Sequence, residues 1–392
     1  MTTDRTPIRR WLAVGRRANR PPWGARKSGG HSPIVAPLAA TLAATAAIGC
    51  GVVLLRAGEE LRARRRTARG PRDGRLGLGE EERLGPGLER IAVEQADVVL
   101  GQMAAAEDGD VRHAVHEARK AIKRLRAIVR LLEGPLGTRA GEREQDALRA
   151  AAALLAGARD AEVLLETLEQ VVQRGGRRLA GRPGVISLRL QLAAEREAAE
   201  QELLAPALRL RVADEMRLFR ARAAAWQLGA GDGIEPIEAG LARVYRQGRR
   251  RLRRAGRKKG RRMRAMHQWR KRVKDLRYAA EILRRPSPEG SGSARAARRL
   301  ARLAQRADSL GEVLGEEHDL AVLDEWIALH GASAGAGRGT RRRLHREIAD
   351  RRRRLRRRAL REGAELYERP PAAFMRRVGK AYRRSSPALS RR

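Results

Sequence analysis

The chain contains one helical segment twice, and this duplication limits the folds open to it. The first copy, 115–132, reads VHEARKAIKRLRAIVRLL, and the second, 266–283, reads MHQWRKRVKDLRYAAEIL. The copies align without a gap at an offset of 151 residues. A repeat of this kind predicts two similar helical bundles of about 150 residues each. The basic positions match as His116 with His267, Arg119 with Arg270, Lys120 with Lys271, Lys123 with Lys274 and Arg126 with Arg277.

Each copy is predicted to be a helix that packs in a bundle. Apolar or small residues recur at alternating spacings of three and four, as at the seam between packed helices. Most basic residues follow one position later, and one residue along a helix is a rotation of roughly 100°. Each helix is therefore predicted to carry a row of cations along the edge of its buried face.

A basic row on a helix is most often a solvated surface, so a functional interpretation needs more support. Here the row recurs in a distant copy, and each copy begins with a histidine although the chain has only seven. A solvated face also mixes in acids that pair along the helix. The first copy holds only Glu117, with Glu133 just past its end. These features indicate that the rows bind a ligand.

The composition favours an all-α protein with an anionic partner. Aromatic residues make up only 3% of the 392 residues, and Ala, Leu, Arg and Glu dominate, which favours helices over sheets. The formal charge of +40 calls for nucleic acid, anionic lipid or another phosphate polymer. The single cysteine, Cys50, excludes an intramolecular disulfide and a cysteine zinc cluster.

The first 80 residues are predicted to precede the folded domain. Residues 1–33 are basic and rich in Pro, Gly and Ser, which predicts disorder. The segment 34–55 runs 22 residues without a charge, enough for one hydrophobic helix across a bilayer. A membrane anchor, a helix packed on the protein and a secretory signal compete here. The long Arg-rich segment before it and the lack of a clear cleavage site argue against the signal, the many Ala and Thr residues are compatible with a packed helix, and the anchor is preferred. Residues 56–80 form a basic linker.

Residues 81–374 are predicted to form the folded domain, followed by a basic tail at 375–392. The order of segments repeats, so the first bundle is assigned to 81–230 and the second to 234–374. Two further matches support this division: the segments that begin at Gly87 and Gly240, and the pairs Arg159-Asp160 and His318-Asp319.

Four motifs in these segments occur in a recognisable order. They are His116-x-x-Arg119 with Lys123-Arg124-Leu125-Arg126, His267-x-x-Arg270-Lys271 with Lys274 and Leu276-Arg277-Tyr278, Ala158-Arg159-Asp160, and Glu317-His318-Asp319. Over roughly 81–374 this pattern resembles the CHAD family, the conserved histidine α-helical domain. The resemblance implies two tandem four-helix bundles related by a pseudo-twofold axis, with the histidine-led helices lining a basic central groove. It also implies binding of inorganic polyphosphate and association with polyphosphate granules.

A polyphosphate chain suits such rows because it presents repeated phosphate oxygens and no bases. Arginine offers planar forks that match these oxygens, and lysine offers compact charges. Cations at successive turns rise by about 5 Å per step, so an extended strand can touch several. The residues predicted to bind it are His116, Arg119, Lys120, Lys123, Arg126, Arg130, His267, Arg270, Lys271, Lys274, Arg277 and His318, supported by Arg159, Asp160, Asp319 and Tyr278.

Five residues carry specific expectations. His116 and His267 are predicted to be neutral hydrogen-bond donors near pH 7, with orientation of a neighbouring side chain as the alternative. Asp160 and Asp319 are predicted to fix arginine side chains or to cap helices that begin there. Asp275 interrupts the basic positions, so the second row is predicted to be the weaker one.

No cofactor or metal is predicted. His113 and His116 have a spacing compatible with a shared metal, but the sequence offers no further ligand set. An enzyme acting on phosphate chains would need several carboxylates around a metal. The sequence has neither a Walker motif nor a clustered acidic set, so binding without turnover is predicted.

Nucleic acid is the alternative partner. The arginine-rich region 338–358 suits RNA, although only Trp269 and Tyr278 in the rows could stack on bases. The predicted location is the cytoplasm, at polyphosphate granules or at the inner face of the membrane through 34–55. The oligomeric state and the preferred chain length of the polyphosphate stay open.

Overall fold

The structure of the 392-residue chain is a computed structural model. It describes residues 76–79, 81–106, 110–229, 231, 233–257, 262–286 and 291–385, without the side chains of 158, 159, 203, 204 and 262. The basic N-terminus, the hydrophobic helix and most of the linker predicted from the sequence lie outside these ranges. Inside them, every helix is too short or too polar to cross a membrane.

Every regular element in these ranges is a helix, which confirms the predicted all-α class. In chain order the helices are α1 (Leu84–Ala105), α2 (Val111–Leu131), α3 (Glu133–Leu136), α4 (Thr138–Leu154), α5 (Ala156–Gly175), α6 (Arg177–Ala180), α7 (Pro183–Leu204), α8 (Pro206–Ala224), α9 (Glu235–Arg257), α10 (Arg262–Ile282), α11 (Gly292–His330), α12 (Arg338–Leu366) and α13 (Pro371–Ser385).

The helices form two bundles connected by one continuous hydrophobic cluster, and a second buried cluster lies within the first bundle. In the first bundle α1, α2, α4 and α8 pack side by side, and in the second α9, α10, α11 and α12 do so, with α13 laid against α11. The helices α5 and α7 form a hairpin that packs on α11 and α12. One cluster of buried residues extends from Leu84 in α1 through Leu131 in α2 and Trp269 in α10 to Tyr382 in α13. The bundles are therefore joined through their interior.

The duplication in the sequence is also a duplication of structure. The ends of α2, Val111 and Leu131, lie 151 residues before the ends of α10, Arg262 and Ile282. The buried positions of α1 and α9 match at an offset of 153 residues, so the register shifts slightly between the first and second helix of each half. The matching buried pairs are Gly87 with Gly240, Leu88 with Leu241 and Ile91 with Val244.

The two halves differ in their third helix. In the second half α11 runs unbroken, whereas in the first half the corresponding stretch is divided at Leu155 into α4 and α5. The last carbonyl groups of a helix have no partner within it. The break at Leu155 therefore leaves backbone acceptors available that an unbroken helix keeps occupied.

The folded part continues past the predicted boundary at residue 374. Helix α13 buries Phe374, Val378 and Tyr382 against the second bundle. These apolar residues recur every four positions among arginines and lysines, so the segment resembles a basic tail when only its charge is considered. Part of the predicted tail is thus a packed helix.

The two bundles approach closely at Gly240 of α9. A Cβ atom at this position would overlap the backbone carbonyl group of Leu131, the last residue of α2. We expect Gly240→Ala to lower the free energy of unfolding by about 1–3 kcal/mol, because backbone cannot move aside as a side chain can. The measurement is the midpoint of thermal unfolding, Tm.

A matched control lies in the same helix. Gly256 is exposed, and a Cβ atom there would meet only Leu360, at 3.9 Å. Gly256→Ala is expected to leave Tm unchanged or to raise it, since alanine has the higher helix propensity. Equal losses of Tm in the two variants would show that the close approach at Gly240 does not matter.

Candidate functional site

The two histidine-led helices, α2 and α10, contact each other where the bundles meet. Arg130 of α2 donates to the carboxylate of Asp275 in α10 at 2.7 Å. Asp275 is only 4% exposed, and Arg272 forms a second ion pair with it at 3.0 Å. Arg272 also donates to Gln247. This carboxylate pairs with arginines from both helices at the contact between them, and the three groups together keep a net charge of +1.

Other cations beside this contact form no ion pair within 4 Å with a described carboxylate, although Asp275 attracts Arg126 and Lys271 from farther away. Burial and then repulsion from Arg130 and Arg149 lower the pKa of Arg126 to about 10. Its Nε is buried without a hydrogen-bond acceptor. Crowding by protein atoms and then repulsion from Arg126 and Arg130 lower the pKa of Lys271 to about 8, although the Lys271 side chain still reaches solvent.

Two further cations of the second row lie against α11. The guanidinium of Arg270 lies over Gly315, where a Cβ atom would come within 3.2 Å of its Nη2, and its buried Nε has no acceptor. Lys274 is half-buried beside Gly311, and burial followed by repulsion from Arg270 and Arg277 lowers its pKa to about 8. We call these four cations, Arg126, Arg270, Lys271 and Lys274, the unpaired cation set.

Two imidazoles adjoin this set. The rings of His267 and His318 have their centroids 4.4 Å apart. Burial and nearby cations lower the pKa of His267 to about 4 and that of His318 to about 3, so both rings are neutral at pH 7. The Nδ1 atom of each is buried without a hydrogen-bond partner in the described ranges. Each neutral ring carries one N–H, and it can donate to an incoming anion in the tautomer that places the proton on Nε2.

The first half of the first row has partners instead. Arg119 donates to the carbonyl oxygen of Leu155 at 2.7 Å and approaches Asp160 at 3.4 Å. Lys120 pairs with Glu117 at 3.0 Å, and the exposed His116 lies 4.0 Å from the same carboxylate. These three residues are thus held by α2, α5 and the break between α4 and α5.

The break in the third helix explains the difference between Arg119 and Arg270. These arginines occupy equivalent positions in the repeat, and each points to the third helix of its own half. The interrupted helix offers Arg119 the carbonyl oxygen of Leu155. Unbroken α11 has its carbonyl groups engaged in its own hydrogen bonds, so Arg270 finds no such acceptor at Gly315. Arg119 is therefore held by the protein backbone, whereas Arg270 is available to a ligand.

The remaining predicted site residues are distributed around this arrangement. Lys123 is exposed on α2. Arg277 pairs with Glu281 at 2.7 Å and with Asp308, and its guanidinium lies 5.7 Å from the ring of Tyr278, which is buried. The side chain of Arg159 lies outside the described part of the chain.

Two expectations from the sequence are corrected. Asp160 lies within α5, which begins at Ala156, and Asp319 lies deep inside α11, so neither caps a helix. Asp160 instead approaches Arg119. Asp275 was expected to weaken the second row. In the structure its carboxylate forms ion pairs with Arg130 of the first row and with Arg272. Three of the four unpaired cations belong to that second row.

Aligning the two copies of the repeat does not identify three arginines that shape the site. Arg272 corresponds to Ala121 in the first copy, so a search for repeated cations passes over it. Arg352 and Arg356 of α12 both bind Glu317, which is 1% exposed and precedes His318. The only signal for them is a buried acid next to a predicted site histidine.

The arrangement can bind a ligand with several acceptor oxygens and negative charge. It presents guanidinium, ammonium and imidazole donors together, and burial strengthens each interaction with an anion. The described residues contain no group of three or more His, Cys, Asp or Glu side chains placed to hold a metal ion.

The fold and site define a class: an all-α protein made of two duplicated bundles, with histidine-led basic helices where the bundles meet. The sequence model of the CHAD domain matches residues 93–328, which is more than half of the chain. The chain therefore belongs to the CHAD domain family, as its motifs suggested.

A solved structure supports the fold. The crystal structure of the CHAD domain from the plant Ricinus communis superposes with a TM-score of 0.52, over 74% of this chain and 94% of that one. The two sequences are 22% identical over this alignment. A comparison with curated proteins gave no match.

Proposed function

We propose that this protein binds inorganic polyphosphate, without turning it over, at the unpaired cation set and the neighbouring imidazoles of His267 and His318. The observation that carries the proposal is that Arg126, Arg270, Lys271 and Lys274 lie close together and form no ion pair within 4 Å with a described carboxylate. Cations crowded together in this way raise the energy of the folded protein. A bound polyanion relieves that repulsion.

The chemistry of the site favours a phosphate chain over nucleic acid. Proteins that bind single strands usually stack bases on exposed aromatic side chains. The two aromatic residues of the second row, Trp269 and Tyr278, are 0% and 6% exposed, so they serve the core. The donors that remain are all suited to phosphate oxygens.

Nearby carboxylates support binding without turnover. Asp160 approaches Arg119, Asp275 binds Arg130, and Asp308 pairs with Arg277. An acid held by an arginine is poorly placed to serve as a metal ligand, and hydrolysis of phosphate chains ordinarily uses metal ions held by carboxylates. The proposal also includes a cytoplasmic location, with granules of polyphosphate as the partner.

The proposal is tested by competition between two polyanions for the full-length chain. Long-chain polyphosphate is expected to bind more tightly than single-stranded RNA of equal charge. Both affinities must be measured at one ionic strength, because both fall steeply with salt. Equal or tighter binding of RNA would contradict the polyphosphate site and favour the alternative partner.

The repeat offers a matched pair of variants. Arg270→Ala is expected to weaken polyphosphate binding about tenfold, the loss of one charge-assisted hydrogen bond. Arg119→Ala removes the equivalent arginine, whose guanidinium binds the carbonyl oxygen of Leu155. Arg119→Ala should weaken polyphosphate binding less than Arg270→Ala does, and it should lower Tm more. Affinity and Tm are measured for both variants, and equal losses of affinity would rule out the asymmetry between the halves.

The affinity for polyphosphate should also depend on pH between 7 and 9.5, which is below the range in which lysine ordinarily titrates. The pKa values of Lys271 and Lys274 are about 8 without ligand, and a bound polyanion must raise them. A lysine with a pKa of about 8 is already half deprotonated at pH 8, so binding takes up protons from about pH 7 upward. The dissociation constant is therefore expected to begin rising between pH 7 and 8 and to have risen severalfold by pH 9.5. Titrations at fixed ionic strength measure this.

The control for this pH dependence keeps the charge permanently. In a Lys271→Arg and Lys274→Arg double variant, both groups stay protonated throughout the range. The rise of the dissociation constant above pH 7 should therefore disappear. If it persists in the double variant, other groups cause it and these lysines do not contact the ligand.

A further inference from the structure

A second cationic site lies at the opposite end of α11. It is a pocket of about 190 Å³ between the first half of α11, the end of α12 and α13, with Tyr245 of α9 beneath it. Arg302 in its wall precedes His318 by 16 residues on the same helix. At a rise of 1.5 Å per residue the two are about 24 Å apart. The pocket is therefore separate from the unpaired cation set.

The floor of this pocket is apolar and firmly built. The rings of Tyr245 and Phe374 are stacked with centroids 3.8 Å apart, and both are buried. Leu300 and Val378 are also buried beside them, while Leu303 is only partly covered. The edges of these side chains that line the pocket, together with Leu303, offer an incoming group apolar contact.

The rim of the pocket is cationic. Five arginines line it, and all are exposed: Arg299, Arg302, Arg306, Arg369 and Arg377. The pocket also contains Glu365 and Glu368, which leaves a formal charge of +3. No ion pair links any of the five arginines to a described residue.

The structure fixes these arginines close to one another. The hydroxyl of Tyr245 donates to the backbone carbonyl of Arg369 at 3.0 Å, which positions that residue at the rim. Arg299, Arg302 and Arg306 follow one face of α11 at spacings of three and four. Partial burial and then repulsion from the other four arginines lower the pKa of Arg377. Such crowding matches contiguous negative groups.

We infer that this pocket binds a nucleotide, with the base on the apolar floor between Leu303 and Phe374 and the phosphates along the arginine rim. Drug-sized ligands occupy pockets of roughly 300–1,000 Å³. A volume of 190 Å³ therefore holds one ring system and leaves the charged part of the ligand outside, against the arginines. Planar guanidinium groups match phosphate oxygens in pairs.

Other occupants fit the pocket less well. The segments outside the structure at either end, 1–75 and 386–392, are strongly basic, with Asp4, Glu59, Glu60 and Asp73 as their only acids, so the arginine rim repels them. An acidic peptide spaces its carboxylates along a backbone, whereas the arginines converge on one opening. Polyphosphate satisfies the rim but makes no use of the apolar floor.

The test measures binding of ATP and of tripolyphosphate to the full-length chain by calorimetry, without divalent cations and at one ionic strength. ATP is expected to bind about tenfold more tightly than tripolyphosphate, because only ATP has a base to bury. Arg302→Ala with Arg377→Ala should weaken ATP binding about tenfold. Leu303→Asp, which puts a carboxylate at the mouth of the pocket, should weaken it at least as much.

Two controls make the result specific. Arg298→Ala with Arg384→Ala removes two exposed arginines of α11 and α13 that do not line the pocket, and it should leave ATP binding unchanged. Lys271→Ala with Lys274→Ala should also leave it unchanged, which separates this site from the polyphosphate site. Equal binding of tripolyphosphate and ATP to the Lys271→Ala, Lys274→Ala variant, or equal losses of ATP binding in the two arginine double variants, would overturn the inference.

Discussion

The packing of two basic helices against each other depends on one buried carboxylate. Where α2 meets α10, arginines from both approach the core, and cations buried without counter-charge strongly oppose folding. Asp275 binds Arg130 across the contact and Arg272 within its own helix. One of the two positive charges closest to the core is thereby offset, while the unpaired cation set forms no ion pair with a described residue. The helices can then pack directly and still present a basic surface.

Equivalent cations in the two copies of the repeat have different interaction partners. The break at Leu155 gives Arg119 a backbone acceptor, and acids of α2 and α5 lie beside the first half of the first row. The second row faces an unbroken helix whose backbone is already bonded. Arg270, Lys271 and Lys274 form no ion pair with a described residue, and burial and repulsion lower the pKa of the two lysines. The break in the third helix of the first half therefore accounts for the difference between Arg119 and Arg270, and the proposed ligand site lies with the second row.

The sequence predicted the features that depend on local pattern. The three-and-four spacing of apolar residues predicted α2 and α10, and the repeat predicted two bundles, which the family match and the solved CHAD structure support. The partners of individual cations depend on contacts between distant segments. Neither the acceptor for Arg119 nor the burial of Asp275 has a local signal, and Arg272 has no repeated counterpart. The rows were thus predictable, but their division into paired and unpaired cations was not.

The hairpin of α5 and α7 has a consequence for how such a chain arises. It leaves the first bundle and covers α11 and α12 of the second, while α9 packs on the end of α2. A polypeptide with one repeat alone would expose these apolar surfaces, and a second subunit of the same kind would have to cover them. The chain is thus organised like a homodimer fused into one polypeptide. Because both halves are parts of one polypeptide, their sequences need not stay identical. One half can therefore lose a structural feature that the other half keeps.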